Sequence, residues 1–552
     1  MWLFSLASVL DAEIGLLPVA PERPALGQDL QISAQVSDLS GTGLTSTLLS
    51  FRRAGDPFFF SVTMQEQTSD SYSFTIPASL LTSGSVEYFI TATTSLGASS
   101  RLPTSGFFSQ PIYLPDGLET PLAHGSEATA YRIVSIPLDL DEKSALAVLE
   151  DDLGPYNKTQ WRFFAHQSGV QLTELDAKDV QMTPGRAFWL LVKDPGKRLT
   201  TGPGTSVATD VPYRVPLTRG WTLLGSPFNY LLSLSQLRTR SGQALDLRRY
   251  DGVWQAVDSV LVPFEGYAVF NGEAFIDTLL INPDVSAASS AAAKRASKGS
   301  SAISWSIRIV AHQGQARDTD NLAAVANEAS RGWDVLDRPE PPVIGDYVSV
   351  SFPHPAWGRN TARYSTDARP VPVGGERWEL EVRTRRPGRV ALRFEELEAV
   401  PSDFEVWLVD EALETRQNLR VQPSYMVAGA GEGVPKRLTL VVGTGAFVEG
   451  ELAATQEVPV RPELFQNFPN PFRGVTTIRY GLPEASAEVS LEVYDVLGKR
   501  VATLVQREGA AGYHAVVWDG RNDARGTLAS GVYVLRMRAG SFVATRTMLL
   551  IR

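Results

Sequence analysis

Five oxygen-bearing side chains lie near one another just past the middle of the sequence and could bind a cation. Asp318, Asp320 and Asn321 fall within four residues, and Asp334 and Asp337 follow them. Carboxylate and amide oxygens suit Ca²⁺, which takes about six to eight oxygen ligands in a loose geometry. The spacing is not that of an EF-hand or of a nonapeptide calcium repeat. These residues therefore predict either a site for Ca²⁺, which would be the only cofactor, or aspartates that cap turns.

Tryptophan rings could stack on sugars, and two of them are candidates for ligand binding. Trp333 and Trp357 stand beside polar loop residues, although packing is the alternative role for both. We expect the tryptophans of the second domain to lie in a core instead, because they fall at the centres of strand-like runs: Trp161, Trp189, Trp221 and Trp254.

Histidine is the side chain most often used in general acid–base catalysis, yet the histidines here are far apart. They are His124, His166, His312, His354 and His514. No two have metal-ligand spacing, and the sequence contains no HExxH, GxSxG or P-loop motif. We expect His354, between two prolines, in a surface loop. The sequence predicts no catalytic residues. This favours a noncatalytic protein, and the question of an enzymatic activity stays open.

Composition excludes some classes of partner and of site. The net charge is −10 and the pI is about 5.3, so nucleic acid is not an expected partner, because phosphate binding needs a basic face. Cysteine is absent, which excludes disulfides and thiolate metal sites and is compatible with export to an oxidising compartment.

Short apolar runs divided by turn residues predict a mainly β protein. A chain of 552 residues is too long for one core, so we expect several β-sandwich, immunoglobulin-like modules in tandem, with one internally duplicated β-rich domain that carries short helices. The predicted boundaries are a remnant of a signal peptide at 1–12, an immunoglobulin- or fibronectin-like sandwich at 13–115, the duplicated domain at 128–283, an Ala/Ser linker at 284–302, a sandwich at 303–456 and a terminal domain at 461–552.

The duplication is visible as two copies of one order of elements. Each copy has a strand that runs into a Ser-x-Pro or Ser-Pro turn, a short leucine-containing helix, an aromatic hairpin and an aromatic strand after a Pro turn. The first copy opens near Tyr131 and the second near Gly220. Two such units usually pack on each other and are typical of scaffolds.

The start of the sequence is less regular. The run Trp2 to Leu10 resembles the apolar part of a signal peptide, but it has no preceding Lys or Arg and no clear cleavage site, so a first β-strand is the alternative. No other apolar run approaches the ~20 residues that span a bilayer, so we do not expect an integral membrane protein of the helical kind.

The most informative residues are five short elements in the last ninety or so positions, in a segment that alternates as strands do. They are Pro469, Asn470, Pro471 and Phe472; then the segment Thr476 to Pro483; then Tyr494, Asp495 and Gly498; then Trp518, Asp519 and Gly520; then Gly531 and Tyr533. Read physically, they belong to a small antiparallel sandwich with Gly at its turns.

In order and position these elements closely resemble the C-terminal sorting domain, type A, of type IX secretion cargo. That domain has the immunoglobulin-like fold of hook-capping proteins. Here the resemblance covers about 461–552 and departs from the common pattern at Phe468 and at Arg473-Gly474. It implies passage through the outer membrane by the type IX secretion machinery, removal of the sorting domain, and attachment to surface polysaccharide or release.

The resemblance predicts a secreted or surface protein of a Gram-negative bacterium that travels through the periplasm. Its preceding modules would serve adhesion, matrix construction or ligand display. One alternative is a surface protein that binds or processes extracellular glycans. Another is an assembly scaffold like a hook-capping protein. The sequence does not name the ligand.

Overall fold

The computed structural model describes residues 14–551 apart from 20–23, 40, 69, 121, 127, 168–170, 175–179, 243–244, 258, 274, 285–302, 335, 358–361 and 454–458. The predicted signal-peptide remnant at 1–12 and most of the predicted linker at 284–302 lie outside the described residues. The prediction of a mainly β chain with tandem immunoglobulin-like sandwiches is confirmed. The chain divides into two compact units, one up to residue 297 and one from residue 298 onwards, with segments 127–129 and 251–255 grouped with the second.

The first strands of the chain form two antiparallel sheets over one core. The strands are β1 (Ile14–Val19), β2 (Leu30–Asp38), β3 (Leu44–Arg53), β4 (Phe60–Thr63), β5 (Gln65–Thr68), β6 (Ser71–Ile76), β7 (Val86–Thr94), β8 (Ser99–Leu102) and β9 (Phe108–Gln110). One sheet has the order β1-β2-β6-β5 and the other β4-β3-β7-β8, with β9 on β7. Leu30, Ile32, Ala34 and Val36 alternate along β2 and are fully buried or nearly so, because every second side chain of a strand faces the core.

The region from 113 to 281 contains two four-stranded sheets of the same connectivity. Its strands are β10 (Tyr113–Leu114), β11 (Glu119–Thr120), β12 (Arg132–Ser135), β13 (Asp139–Leu140), β14 (Trp161–Gln167), β15 (Gln171–Glu174), β16 (Ala187–Val192), β17 (Leu199–Thr200), β18 (Gly204–Thr205), β19 (Tyr213–Leu217), β20 (Gly220–Gly225), β21 (Leu232–Ser233), β22 (Leu237–Thr239), β23 (Leu247–Tyr250), β24 (Trp254–Ala256), β25 (Val260–Leu261), β26 (Gly266–Asn271) and β27 (Asp277–Ile281). The sheets run β12-β16-β14-β15 and β20-β26-β23-β24. Helix α1 (Ala145–Leu153) lies between β13 and β14.

The two sheets approach closely where glycine leaves room. A Cβ on Gly266 would lie 2.2 Å from Cγ2 of Ile133 and 2.7 Å from Cβ of Ala187. A single antiparallel bridge joins Val134 to Glu265 at the same place. The indole of Trp189 meets the ring of Tyr250 edge-on at 5.0 Å between centroids. Aromatic rings thus pack across the two copies, and Trp189 is fully buried, in agreement with its predicted core position.

The strands after residue 302 form a large sheet folded on itself. They are β28 (Ile303–Gln313), β29 (Ala316–Ala326), β30 (Arg338–Pro339), β31 (Val348–His354), β32 (Ala362–Arg369), β33 (Gly375–Thr384), β34 (Gly388–Glu395), β35 (Glu405–Asp410), β36 (Thr415–Asn418), β37 (Ser424–Gly429) and β38 (Lys436–Gly443). Their order is β36-β35-β38-β33-β31-β32-β29-β28-β34-β37, with β30 on β32. β31 makes the corner, because its first half pairs with β33 and its last three residues pair with β32. Helix α2 (Gly445–Ala453) packs Val448 and Leu452 on Val409 and Val441.

The last strands form a small sandwich with its own core. They are β39 (Glu463–Leu464), β40 (Thr476–Leu482), β41 (Ser486–Tyr494), β42 (Arg500–Gly509), β43 (Gly512–Trp518), β44 (Gly531–Ala539) and β45 (Phe542–Leu550). The sheets run β39-β40-β43 and β42-β41-β44-β45, and all pairs are antiparallel. Val489, Leu491 and Val493 are fully buried between the sheets. We call residues 461–551 the terminal domain and residues 303–453 the third module.

Candidate functional site

The segment from Pro469 to Phe472 binds the last strand of the chain. The Asn470 amide Nδ2 donates to the carbonyl of Thr547 at 3.1 Å, and its Oδ1 accepts from the N–H of Leu549 at 2.8 Å. The Phe472 N–H donates to the Leu549 carbonyl at 3.0 Å, and the Ile551 N–H donates to the Phe472 carbonyl at 2.9 Å. β45 is an edge strand, so this segment satisfies backbone groups that would otherwise face water or another chain.

A second set of bonds fixes the approach to that segment. Asn467 is 2% exposed, and its Nδ2 donates to the Pro469 carbonyl at 3.1 Å and to Thr476 Oγ1 at 2.9 Å. The Thr476 hydroxyl in turn donates to the Pro469 carbonyl at 2.8 Å. The peptide bonds before Pro469 and Pro471 are both cis. The Pro-Asn-Pro turn is therefore held by side chains on both of its flanks.

Three aromatic residues from separate motif elements pack together. Phe472 and Trp518 are each 1% exposed, and their ring centroids lie 5.5 Å apart. Trp518 meets Tyr533 edge-on at 5.8 Å. The indole N–H donates to the Arg521 carbonyl at 3.0 Å, and the Tyr533 hydroxyl donates to the Ala529 carbonyl at 2.8 Å. Each buried polar atom thus has a partner, as burial of Trp and Tyr requires.

The glycines and aspartates of the motif shape the turns around this cluster. Asp519 Oδ1 accepts from the Arg521 N–H at 3.2 Å. Gly520 has φ +68, and a Cβ there would lie 3.2 Å from the side chain of Leu550. Gly531 opens β44 opposite Leu550. Positive φ and close approach both favour glycine at position 520.

The Tyr494-Asp495-Gly498 element is the hairpin between β41 and β42. Asp495 Oδ1 accepts from the N–H groups of Leu497 and Lys499 at 3.0 and 2.9 Å. Gly498 has φ +78, the left-handed conformation that glycine adopts without strain. Val496 and Leu497 are 72% and 90% exposed at the tip, so the element presents apolar side chains to solvent.

A charged network covers the outer face of the second sheet next to this hairpin. Glu492 accepts from the Tyr494 hydroxyl at 2.7 Å, from Arg500 at 3.0 Å and from Arg536 at 2.7 Å. The Arg536 guanidinium also lies 4.7 Å from the centre of the Tyr494 ring. The Tyr494 hydrogen bond, helped by both arginines, lowers the pKa of Glu492 to about 2. The carboxylate is therefore fixed in its charged form.

The predicted calcium ligands lie on different elements and contact the backbone. Asp318 and Asn321 are on β29. Asp318 Oδ2 accepts from the Val350 N–H at 2.6 Å, and burial raises the pKa of Asp318 to about 6. The Asn321 amide donates to the Ile309 carbonyl at 3.1 Å. Asp320 lies between them on the same strand.

Asp334 and Asp337 stand in the loop that follows β29. Asp334 accepts from the N–H groups of Ser330 and Leu336, and Asp337 accepts from those of Asp334 and Ala368. Within the described residues, no three Asp, Glu or His side chains are grouped as a metal site requires. Carboxylate oxygens of Asp318, Asp334 and Asp337 accept from backbone N–H groups, and calcium binding stays a prediction without further support.

Of the two tryptophans predicted to bind a ligand, Trp357 belongs to an aromatic cluster that the sequence did not predict. His354 lies at the end of β31 and stacks on Trp357 at 3.5 Å between ring centroids with an interplanar angle of 3°. The His354 Nε2 lies 2.8 Å from Oδ2 of Asp367, and Arg369 lies 2.8 Å from Oδ1. The His354 side chain is 12% exposed, so the expectation of a surface loop was wrong. Asp367 pairs with it from the neighbouring strand β32, 13 residues further along the chain.

Trp333 and Trp357 are both partly buried against the core of the third module. One face of Trp357 is covered by the imidazole, and Tyr364 meets its ring at 4.9 Å. An imidazole held between a buried carboxylate and an indole keeps one orientation, so we interpret this cluster as packing. Ligand binding by either tryptophan stays a prediction.

The terminal domain is a small immunoglobulin-like sandwich. Its motif residues form turns and bond the edge strand β45. The sequence model of the FlgD Ig-like domain matches residues 471–541. A search of curated proteins finds no match to the chain. Among the described residues, no helix combines the length and hydropathy that crossing a bilayer would need.

Solved structures offer only remote likeness. Dimeric latent PorU from Porphyromonas gingivalis is 10% identical, with 98% of this chain and 34% of that chain covered and a TM-score of 0.15. PorZ from the same bacterium, a surface component of the type-IX secretion system, is 11% identical, with 96% and 75% covered and a TM-score of 0.13. A Salmonella alpha-2-macroglobulin mutant is 11% identical, with 98% and 40% covered and a TM-score of 0.15. This chain spans about a third of the PorU chain. Scores this low do not indicate a shared fold or function.

Proposed function

We propose that residues 461–552 are a sorting domain for type IX secretion and that the preceding β modules are noncatalytic cargo. The cargo would be released, or displayed on the outer surface of a Gram-negative bacterium, for adhesion, matrix construction or ligand display. The observation that carries the proposal is the convergence of the motif. Phe472, Trp518 and Tyr533 come from three separate elements and pack together beside the last strand.

The similarity of residues 471–541 to the FlgD Ig-like domain supports the same assignment, since that is the fold expected of such sorting domains. The match to the FlgD Ig-like domain covers residues 471–541 of 552, and the cargo interpretation also gives a role to the β modules before them. Fold alone does not decide function, and an export assay must do so.

Charge gives further support for a terminal domain with its own partner. Residues 461–552 contain 12 Lys and Arg and 8 Asp and Glu, a net charge of +4, whereas the chain total of −10 leaves −14 for residues 1–460. A basic domain behind an acidic cargo can be attracted separately to an acidic partner. In this proposal that partner belongs to the secretion machinery, with surface polysaccharide as the later attachment point.

Fractionation of cells that carry the type IX machinery tests the proposal. We expect the full-length chain at the surface or in the medium, trimmed near residue 460 by intact-mass analysis. A truncation lacking Arg461 to Arg552 should stay in the periplasm. If both forms distribute alike and the terminal domain is retained, the proposal is wrong.

A further inference from the structure

The outer face of the sheet β39-β40-β43 carries an unusually enclosed arginine. Arg479 lies on β40 between Ile478 and Tyr480, both of which point into the core, so its side chain points outward. Its guanidinium lies 4.7 Å from the ring centre of Phe465 and 4.1 Å from that of Tyr513. Its side chain is nevertheless only 19% exposed. A cation flanked by two rings and shielded from water needs an anionic partner to offset its desolvation.

Glu414 of the third module is that partner. Its carboxylate forms an ion pair with the Arg479 guanidinium. Glu414 ends the 3₁₀ turn Glu411–Leu413 and adopts the left-handed conformation, with φ 50 and ψ 38. A residue other than Gly or Asn rarely adopts this conformation, because its Cβ is crowded by the backbone there. The third module thus holds a glutamate in a strained backbone position at the place where its carboxylate meets the terminal domain.

Other contacts join the same two parts. Arg389 on β34 lies 3.8 Å from Asp519, next to the buried Trp518. A Cβ on Gly474 would lie 3.6 Å from the carbonyl oxygen of Pro387. The contact therefore extends from the outer face of the first sheet to the turn that carries Asp519, and it is broader than one exposed ion pair.

We infer that the terminal domain is docked on the third module by a noncovalent contact centred on Arg479 and Glu414. Cutting the chain between the two parts leaves them associated until this contact is broken. The contact itself does not depend on the proposed function, but its consequence for cargo release rests on that function. If the terminal domain is removed during export, release of the cargo then needs a second event that separates the docked surfaces.

A cleavable full-length chain tests this. Val460 and Arg461 are 97% and 83% exposed, so a specific protease site inserted between them should be accessible. After cleavage, we expect the two pieces to co-elute in size-exclusion chromatography at micromolar concentration. Glu414→Arg should raise their dissociation constant at least tenfold, because it places two cations together. The exchange of charges in Glu414→Arg with Arg479→Glu should recover much of the loss.

Glu398→Arg is the matched control, since it makes the same charge change at an exposed position of the third module and should leave co-elution intact. Thermal melting of the uncut variants checks that they fold. Separation of the unmodified pieces at every concentration overturns the inference. An unchanged dissociation constant in Glu414→Arg overturns the assignment of its centre. Neither result depends on export, so failure here is distinct from failure of the sorting proposal.

Discussion

At the scale of single residues, the motif of the terminal domain acts through backbone hydrogen bonds and ring contacts. Asn470 uses both ends of its amide on the last strand, and Asn467 and Thr476 hold the turn before it. The motif residues are thus explained by the requirements of the fold. Any recognition by a partner would depend on surfaces that this framework presents.

Asn470→Ala tests that role. The Leu549 N–H would lose its acceptor on an edge strand, whereas the Thr547 carbonyl would keep the Gln466 amide as a donor. We expect the free energy of unfolding of the terminal domain to fall by about 1–2 kcal/mol. Hydrogen exchange of a peptide spanning Phe542–Leu550 should become faster. Thr545→Ala, at an exposed position of the same strand, is the control. Equal protection in both variants would show that the amide contributes nothing.

Glu492 gives a prediction about pH. Its pKa is lowered in the folded protein to about 2, so its interactions stabilise the fold above the ordinary glutamate pKa. This stabilisation should be lost as the pH falls from about 4.5 towards 2. We expect Glu492→Gln to show a smaller loss of stability over that interval than the unmodified protein. The exposed Glu508→Gln serves as control, and pH-dependent denaturant unfolding is the measurement. Superimposable pH profiles would contradict the role assigned to Glu492.

At the scale of elements, local sequence patterns predicted much of what the structure shows. Val489, Leu491 and Val493 alternate in the sequence and are buried on one face of β41. Glycine was predicted at the turns of this sandwich, and Gly520 has the positive φ that such turns use. These features depend on neighbours in the chain, where sequence periodicity is informative.

Contacts between distant elements could not be predicted in the same way. Phe472, Trp518 and Tyr533 were identified as motif residues, but the sequence did not predict that Trp518 packs against the other two. His354 and Asp367 meet because the end of β31 pairs with β32, a register that local patterns do not show. The ion pair of Arg479 with Glu414 joins residues 65 positions apart. The calcium candidates show that closeness in sequence does not ensure a shared site. Asp318 accepts from the Val350 N–H, whereas Asp337 accepts from the Ala368 N–H.

The close approach of the two four-stranded sheets provides a prediction at this scale. Gly266→Ala would place its Cβ 2.2 Å from the Ile133 side chain, so the sheets must shift apart. We expect a loss of about 1–3 kcal/mol in the unfolding of the first compact unit, measured by denaturant titration. Gly84→Ala is the control, because its nearest atoms would be 3.8 Å away. Equal stabilities would mean that the packing there is looser than the structure shows.

At the scale of the whole molecule, an acidic series of β modules is followed by a basic immunoglobulin-like domain with a separate core. That core is built from residues 464 to 550 alone, so we expect the terminal domain to fold when it is attached to another protein. The inferred docking contact with the third module and the proposed sorting role are independent of each other. A domain could be sorted without remaining docked, or remain docked without being sorted.

Export of an unrelated protein by residues 461–552 alone tests the sorting role most directly. Residues 461–552 would be fused to an unrelated periplasmic reporter that carries its own signal peptide, in a bacterium with type IX machinery. Surface protease sensitivity and the amount in the medium would then be measured, with the unfused reporter and a strain lacking the machinery as controls. If residues 461–552 are a sorting domain, only the fusion leaves the periplasm, and only when the machinery is present. A fusion that folds but stays in the periplasm would contradict it.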